Sequence, residues 1–428
     1  MKIDRFSLNP DCFLVKGAKR GALYDLATGD IHSIDEDSVE ILDKCEKGFS
    51  INQVAQGVPR ISTKEIIDYF KNLESLNLGK FIDSRQTINK ISLSPPEPKI
   101  DFIWLELTQN CNLKCLHCYA NSGSKTNQIG KDELLTLEQW ERVLQEAFNE
   151  GCRKVQFIGG EPMLFGKDIY VLIKLARDLG YELVEVFTNA TLLTEEDIGL
   201  LVRYNVQIAT SIYSKRAEIH DKITTQKGSF RKTIENVKKL QAKGIRVRFA
   251  TIAMKQNEKY LKETIDFLQT MGEINPLKCL DVVRSMGRGK NDYLISKNLS
   301  SWIQRKSPIF PKLTKENFIK RKYGHGCWWD KITVIPNGQV IPCVMARKEI
   351  CGDIKKQSLR QIVRGVNLQK LRGLSKDNIE ICQDCEYRYA CLDCRPLARE
   401  ETGNLYARGN NCSYDPYLGV WQNSKERR

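Results

Sequence analysis

Cys111, Cys115 and Cys118 stand close together in the stretch CNLKCLHCY. Their spacing, three residues and then two, lets three thiolates from one short loop converge on a metal centre. A 4Fe–4S cluster held wholly by protein takes four cysteines. Three leave one iron with an open position, which is what chemistry on a metal requires. The competing reading is a structural zinc site that borrows a fourth ligand such as His117. A second group follows toward the C-terminus: Cys327, Cys343, Cys382, Cys385, Cys391, Cys394 and Cys412. By spacing alone its central run, CQDCEYRYACLDC, could be a zinc knuckle or ribbon. Cys12, Cys45 and Cys152 read as small core residues.

The rest of the composition narrows the chemistry. A chain of 428 residues suggests two or three domains. With 41% apolar and 28% charged residues it is neither disordered nor fibrous. No apolar run reaches the length of a membrane span, and the first residues have no signal-peptide core, so a cytoplasmic location is expected. Fifteen cysteines are then unlikely to be disulfides, because cytosolic thiols are kept reduced. Four histidines (His32, His117, His220, His325) make a His-rich metal site or a His-based hydrolase a poor fit. What remains is thiolate chemistry with zinc or iron–sulfur. The 67 basic against 53 acidic residues give +14, which favours anionic partners without naming one. Part of that excess is a basic run from Arg305 to Lys322 that includes Lys306 and Lys320 and reads as a solvated connector.

The elements that must position these cysteines alternate. Strand-like IWLELT (103–108) ends just before the first cluster, and a helix is expected over 135–150. Strand KVQFIGG, helix 166–179, strand LVEVFTNA, helix 194–204, strand VQIATSIY, helix 229–243, strand RVRFATIA, helix 258–271 and strand CLDVVRS follow. Six strands with intervening helices imply a parallel sheet with right-handed crossovers, closed or partly closed as a barrel. Chemistry then belongs at the carboxyl ends of the strands. Residues 1–85 read as a separate α+β unit. Short strands come first, then helices, the last with Ile66, Phe70 and Leu73 on one face and Thr63 as N-cap. Residues 86–100, with Pro95, Pro96 and Pro98, read as a linker. The expected units are 1–85, the linker 86–100, 101–290, a bridging region 291–320 and a cysteine-rich domain 321–428.

On its cysteine spacing and the motifs after it, the stretch 101–290 resembles the radical SAM superfamily. Gly159-Gly160-Glu161-Pro162 matches the family's GGE motif, whose backbone holds the amino group of S-adenosylmethionine. Thr188-Asn189 and Ser211, at the ends of the third and fourth strands, match positions that contact ribose and carboxylate. Tyr119 matches the aromatic neighbour of the last cysteine, near the adenine. His220-Asp221 and Gly228-Ser229-Phe230 also recur in these enzymes. Glu161 reads either as an exposed loop carboxylate or as an acceptor beside an ammonium group. The resemblance implies an α/β fold, a partial (β/α)6 radical SAM barrel. Its first cluster would sit on Cys111, Cys115 and Cys118.

The second cysteine group is similar to the SPASM extension, which carries two auxiliary 4Fe–4S clusters in enzymes that modify peptides and proteins. That likeness implies three clusters in all. Cys327, Cys343 and Cys394 would bind the inner auxiliary cluster, and Cys382, Cys385, Cys391 and Cys412 the outer one. Two residues, rather than the usual three, precede the fourth cysteine of the central group. Seven ligands for two clusters leave an eighth open to Cys351, Cys279, His325 or a substrate thiol. Residues 1–85 resemble the PqqD-like element that binds leader peptides, winged-helix-like in outline. Together these imply a peptide maturase, acting on a ribosomal precursor peptide through its leader. It would draw electrons from a donor such as flavodoxin or ferredoxin and install a thioether or carbon–carbon crosslink. No nucleic-acid or membrane partner is expected. Maturation of a protein or small redox cofactor is the second enzyme reading, and a zinc-stapled basic nucleic-acid-binding protein is the reading outside enzymes.

Overall fold

The computed structural model describes residues 3–422, apart from 84, 96, 98, 124–132, 273–278, 296, 297, 299–306 and 308. Pro96, Pro98, Arg305 and Lys306, named above, lie outside the described residues.

In the N-terminal unit β1 (Ile3–Leu8) is later joined antiparallel by β5 (Gly79–Asp83). Between them β2 (Cys12–Lys16), β3 (Gly21–Asp25) and β4 (Ile31–Ile34) form an antiparallel sheet. Three helices follow, α1 (Glu36–Glu46), α2 (Ile51–Gly57) and α3 (Thr63–Ser75). Alternation puts Leu23 and Ile34 against Ile41, Leu42, Ile66 and Phe70 of the helices. The N-cap of α3 is Ser62, not Thr63. Ser62 Oγ accepts from Glu65 N–H at 3.2 Å, and the Glu65 carboxylate accepts from Ser62 N–H at 2.8 Å. That reciprocal pair satisfies two donors that the helix start leaves open, which Thr63 could not do alone.

The sheet's other face does not meet solvent. Val15, Ala22 and Tyr24 pack on Phe318, Tyr387, Tyr389 and Tyr414. Tyr24 Oη donates to the Glu386 carbonyl at 2.8 Å. The stretch 86–95 has neither helix nor strand, but Lys90 Nζ reaches the carbonyls of Asn9 at 3.1 Å and Cys12 at 2.6 Å, which pins it to the unit.

Among the described residues the central sheet has nine strands. Parallel β6 (Phe102–Glu106), β7 (Lys154–Ile158), β8 (Leu183–Phe187), β9 (Gln207–Ser211), β10 (Val247–Ala253) and β11 (Leu280–Val282) are its α/β part. The helices α4 (Leu137–Asn149), α5 (Asp168–Leu179), α6 (Glu195–Arg203), α7 (Ala217–Thr224), α8 (Ser229–Ala242) and α9 (Leu261–Thr270) connect them. Strands end earlier than the apolar runs suggest, because Gly159–Pro162, Thr188–Ala190 and Ile212–Tyr213 leave the ladder to form the loops above it. The α7 helix was not anticipated.

One side of the sheet is apolar: Ile103, Leu105, Val155, Phe157, Val184, Val186 and Phe249 share a core with the helices. The opposite side is polar. Trp104 Nε1 donates to Gln156 Oε1 at 2.8 Å, Gln156 bonds Glu185, and Arg248 Nη2 reaches Glu185 at 2.8 Å. The sheet does not close. Its order runs from β11 to β6, and on the far side of β6 it continues through β12 (Lys331–Val334), β13 (Gln339–Ile341) and β14 (Gly352–Asp353). The cysteine-rich region therefore grows directly from the first barrel strand, with β12 parallel to β6. The basic run contains the helix Lys315–Tyr323, whose Phe318 is buried and whose Lys320 pairs with Asp330 at 2.7 Å, so this part is a packed element rather than a solvated connector.

Candidate active site and its cysteine-rich annex

The loop after β6 carries Cys111, Cys115 and Cys118. Its backbone is fixed from both sides: Cys111 N–H donates to Gly123 O at 3.3 Å, Lys114 N–H to Thr224 O at 3.2 Å, and Leu116 N–H to Ile223 O at 2.9 Å. The sulfur of Cys111 accepts from Leu113 N–H and that of Cys118 from Ser122 N–H, both at 3.4 Å. The three thiols lie within one another's fields, and burial pushes Cys111 up to about 11 and Cys115 up to about 12.

A turn at Gly287–Lys290 closes over this loop. Arg288 Nε donates to Cys115 O at 2.8 Å, and Arg288 N–H to Cys118 O at 3.0 Å. Gly287 has φ +53°, and a Cβ there would stand 2.4 Å from the Tyr119 carbonyl oxygen, so only glycine fits. His117 sits in this loop with its Nδ1 buried and, among the described residues, without a hydrogen-bond partner. Its ring meets Tyr213 edge-on at 4.7 Å, and burial pushes it down to about 4, leaving it neutral.

The strand-end motifs converge beside this loop. Gly159 and Gly160 face the backbone of Thr108–Asn110, where added Cβ atoms would come within 2.5 Å and 2.2 Å of carbonyl oxygens. The close approach these glycines permit is thus that of the chain's own first loop. Their neighbouring N–H groups are spent there, Gly160 N–H on Thr108 O and Glu161 N–H on Asn110 O. An ammonium group would be met by carbonyl oxygens of the motif. Glu161 is fully buried, which corrects the exposed-carboxylate reading. It accepts from Thr188 Oγ1 at 2.6 Å, Asn189 N–H at 2.8 Å and Met163 N–H at 3.0 Å, tying the end of β7 to that of β8. Pro162 opens the short turn that follows.

Asn189 Nδ2 then reaches Asn112 Oδ1 at 2.8 Å, inside the cysteine loop. Ser211 ends β9, two residues before Tyr213. Asp221 accepts from Gly228 N–H, Ser229 Oγ and Phe230 N–H, and so caps α8, while His220 Nδ1 accepts from Tyr213 N–H at 3.2 Å.

Two residues that spacing could not suggest complete the site. Glu106, 1% exposed at the end of β6, is held by both Nη atoms of Arg347 at 3.1 and 2.6 Å. The Arg347 guanidinium lies 5.7 Å from the centre of the Tyr119 ring. Arg347 comes from the cysteine-rich region, a few residues after Cys343.

There, Cys382, Cys385, Cys391 and Cys412 line one cavity of about 110 Å³. The residue before the first of them, Ile381, has φ +67°, a strained backbone for a β-branched side chain and of the kind that collects at functional sites. Cys394 stands apart from that cavity, its field reaching both Cys327 and Cys343. Cys343 packs with Trp328. Of the candidates for an eighth ligand, Cys351 packs in the core of the central sheet with its thiol on Glu349 O at 3.5 Å. His325 lies against Trp328, with Nε2 3.8 Å from Asp393, and Cys279 is buried just before β11. Among the described residues no three His, Cys, Asp or Glu side chains close tightly enough for a single ion.

The donor sets fit iron–sulfur clusters: Cys382, Cys385, Cys391 and Cys412 share one cavity, and among the described residues buried polar atoms of the same region, such as His325 Nδ1 and Arg395 Nε, have no protein partner.

Comparison with known proteins agrees. The Radical SAM superfamily matches residues 105–268, and SPASM, an iron–sulfur cluster-binding domain, matches residues 327–386. The chain therefore carries both domains and is a radical SAM enzyme. Its cofactors are S-adenosylmethionine, a 4Fe–4S cluster and auxiliary clusters, and the zinc-stapled nucleic-acid reading is set aside.

Among its relatives is the antilisterial bacteriocin subtilosin biosynthesis protein AlbA of Bacillus subtilis, 28% identical over 367 residues, 82% of this chain and 78% of AlbA. An AdoMet-dependent heme synthase of Methanosarcina barkeri is 27% identical over 347 residues, 73% of this chain and 95% of that one. The crystal structure of Streptococcus suis SuiB bound to S-adenosylmethionine shares the fold, with TM-score 0.53 and 16% identity, covering 96% of this chain and all of SuiB. No helix among the described residues is long and apolar enough to cross a membrane.

Proposed function

We propose that the protein is a peptide maturase that installs an intramolecular thioether or carbon–carbon crosslink in a ribosomal precursor peptide. The likeness to AlbA, a bacteriocin biosynthesis protein, over 82% of the chain carries this reading. When bound, S-adenosylmethionine and its cluster supply a 5′-deoxyadenosyl radical able to remove hydrogen from an unactivated carbon. The chain's own residues orient and shield that chemistry. Cys111, Cys115 and Cys118 hold the first cluster. The Gly159–Pro162 turn, Thr188, Asn189, Ser211 and Tyr119 position the cofactor. Glu161 acts by fixing Thr188 and Asn189, since its carboxylate is taken up by them.

Cys327, Cys343 and Cys394 hold the inner auxiliary cluster, and Cys382, Cys385, Cys391 and Cys412 the outer. The fourth inner position is left to Cys279, His325 or a substrate thiol, because Cys351 sits in the barrel core. Residues 1–85 take the leader as an added strand on the free edge of β4. A ferredoxin or flavodoxin supplies the electron.

The heme synthase likeness favours one other reading, maturation of a small redox cofactor. Co-expression with short neighbouring reading frames separates the two. A peptide lighter by one hydrogen pair per crosslink supports the maturase, and SAM-dependent conversion of a porphyrin with no peptide change would replace it. Within either reading, Cys115→Ala should abolish 5′-deoxyadenosine formation while auxiliary iron remains; undiminished formation would refute the assignment of the first cluster.

A further inference from the structure

The cavity lined by Cys382, Cys385, Cys391 and Cys412 has a buried cation in its wall. Lys376, 8% exposed, places Nζ 2.6 Å from Asp393 Oδ2. Asp393 lies in the chain between Cys391 and Cys394 and lines the same cavity. The same Asp393 oxygen bonds Arg395, which is completely buried, while His325 Nε2 approaches the other oxygen at 3.8 Å. One carboxylate thus answers two buried cations. Arg395 spends its remaining described bonds on the carbonyls of Leu405 and Ala407 and does not line the cavity. Lys376 does, and Arg408 adds further positive charge to the wall, while Arg388, also in the wall, is paired with Asp377 at 2.8 Å.

An excess of buried positive charge is costly unless an anion stands against it. A 4Fe–4S cluster on four thiolates is such an anion, and it becomes more negative on reduction. A cation fixed at its edge therefore favours the reduced form, and net charge around a cluster is one of the levers that set its potential.

We propose that Lys376 raises the reduction potential of the cluster on Cys382, Cys385, Cys391 and Cys412, making it the acceptor of the electron left over from crosslinking. That electron arises when the substrate, having lost one hydrogen atom, closes its new bond and sheds a proton. The outer cluster takes the electron up and an external oxidant of the ferredoxin class removes it. Lys376 is a positioning residue in this account, and Asp393 holds its ammonium in the cavity wall. The proposal rests on the cluster assignment made above.

The test uses full-length protein carrying Cys111→Ala, Cys115→Ala and Cys118→Ala, so that only auxiliary signals remain. Iron content and midpoint potentials by EPR-monitored titration are compared for this parent and for the parent with K376M, K376Q or K376R. K376M and K376Q should keep the parent's iron and shift one midpoint to more negative values, leaving the other in place, and K376R should restore it. Unmoved midpoints with full iron would overturn the proposal. So would iron lost from all three variants alike, which would make Lys376 a scaffold residue only. A parent with no auxiliary iron would overturn the cluster assignment itself and the proposal with it.

Discussion

Arg347 and Glu106 meet across the whole length between the first barrel strand and the cysteine-rich region. Glu106 is buried and has no other described partner, so removing the arginine leaves a carboxylate without compensation. Arg347→Met should cost roughly 3–5 kcal/mol in chemical unfolding. The double variant with Glu106→Gln should recover much of that loss. Because the guanidinium also backs Tyr119, the KM for S-adenosylmethionine should rise in Arg347→Met; an unchanged KM would leave the pair a purely structural tie. No spacing rule could have paired these two residues, since nothing local in IWLELT or VMARKEI marks a partner. The cysteines were legible for the opposite reason. Their ligand chemistry needs short, fixed separations, and these survive in the sequence. Glu161 falls between the two cases: its motif was visible, but its burial and its grip on Thr188 and Asn189 depend on strands that meet only in the fold.

At the scale of elements, loop and strand end act as one unit. The turn at Gly287–Lys290 presses on the cysteine loop through Arg288, and Lys290 Nζ pairs with Glu400 at 2.6 Å in the cysteine-rich region. Gly287→Ala adds a Cβ where the backbone is left-handed and the Tyr119 carbonyl is already in contact. Strain of this kind costs on the order of 1–3 kcal/mol. Iron bound by the first cluster should fall in this variant while auxiliary iron is retained, as measured by iron analysis in a background lacking the outer cysteines. The alternation of strands and helices was legible because each helix buries a stripe and each strand a face. Strand ends and α7 were not, because the residues concerned trade ladder bonds for loop bonds. His220 and Asp221 carry no apolar period, only the capping of α8 and the contact with Tyr213.

For the whole molecule, the N-terminal unit is a wall of the cysteine-rich region rather than an appendage. Tyr24 bonds the carbonyl of Glu386, next to Cys385, and Ala18 N–H reaches Asp384 O at 2.8 Å. Deleting residues 1–85 should therefore lower outer-cluster iron as well as peptide affinity. A variant confined to the free edge of β4 should affect peptide binding alone, as read by fluorescence anisotropy of a labelled precursor. Sequence placed a boundary between these parts because composition changes there, but it could not show that both faces of a small sheet would be buried. The pairing of β12 with β6 joins residues 102–105 to 331–334. On the ribosome β6 emerges long before that partner, and until it arrives the strand keeps an open edge able to recruit other chains. The loop that β6 leads into, proposed to bind iron, is braced by Thr224 and Arg288, so it takes shape only after those later segments have been made. A cluster delivered before then would meet unbraced thiols, which have to stay reduced in the meantime.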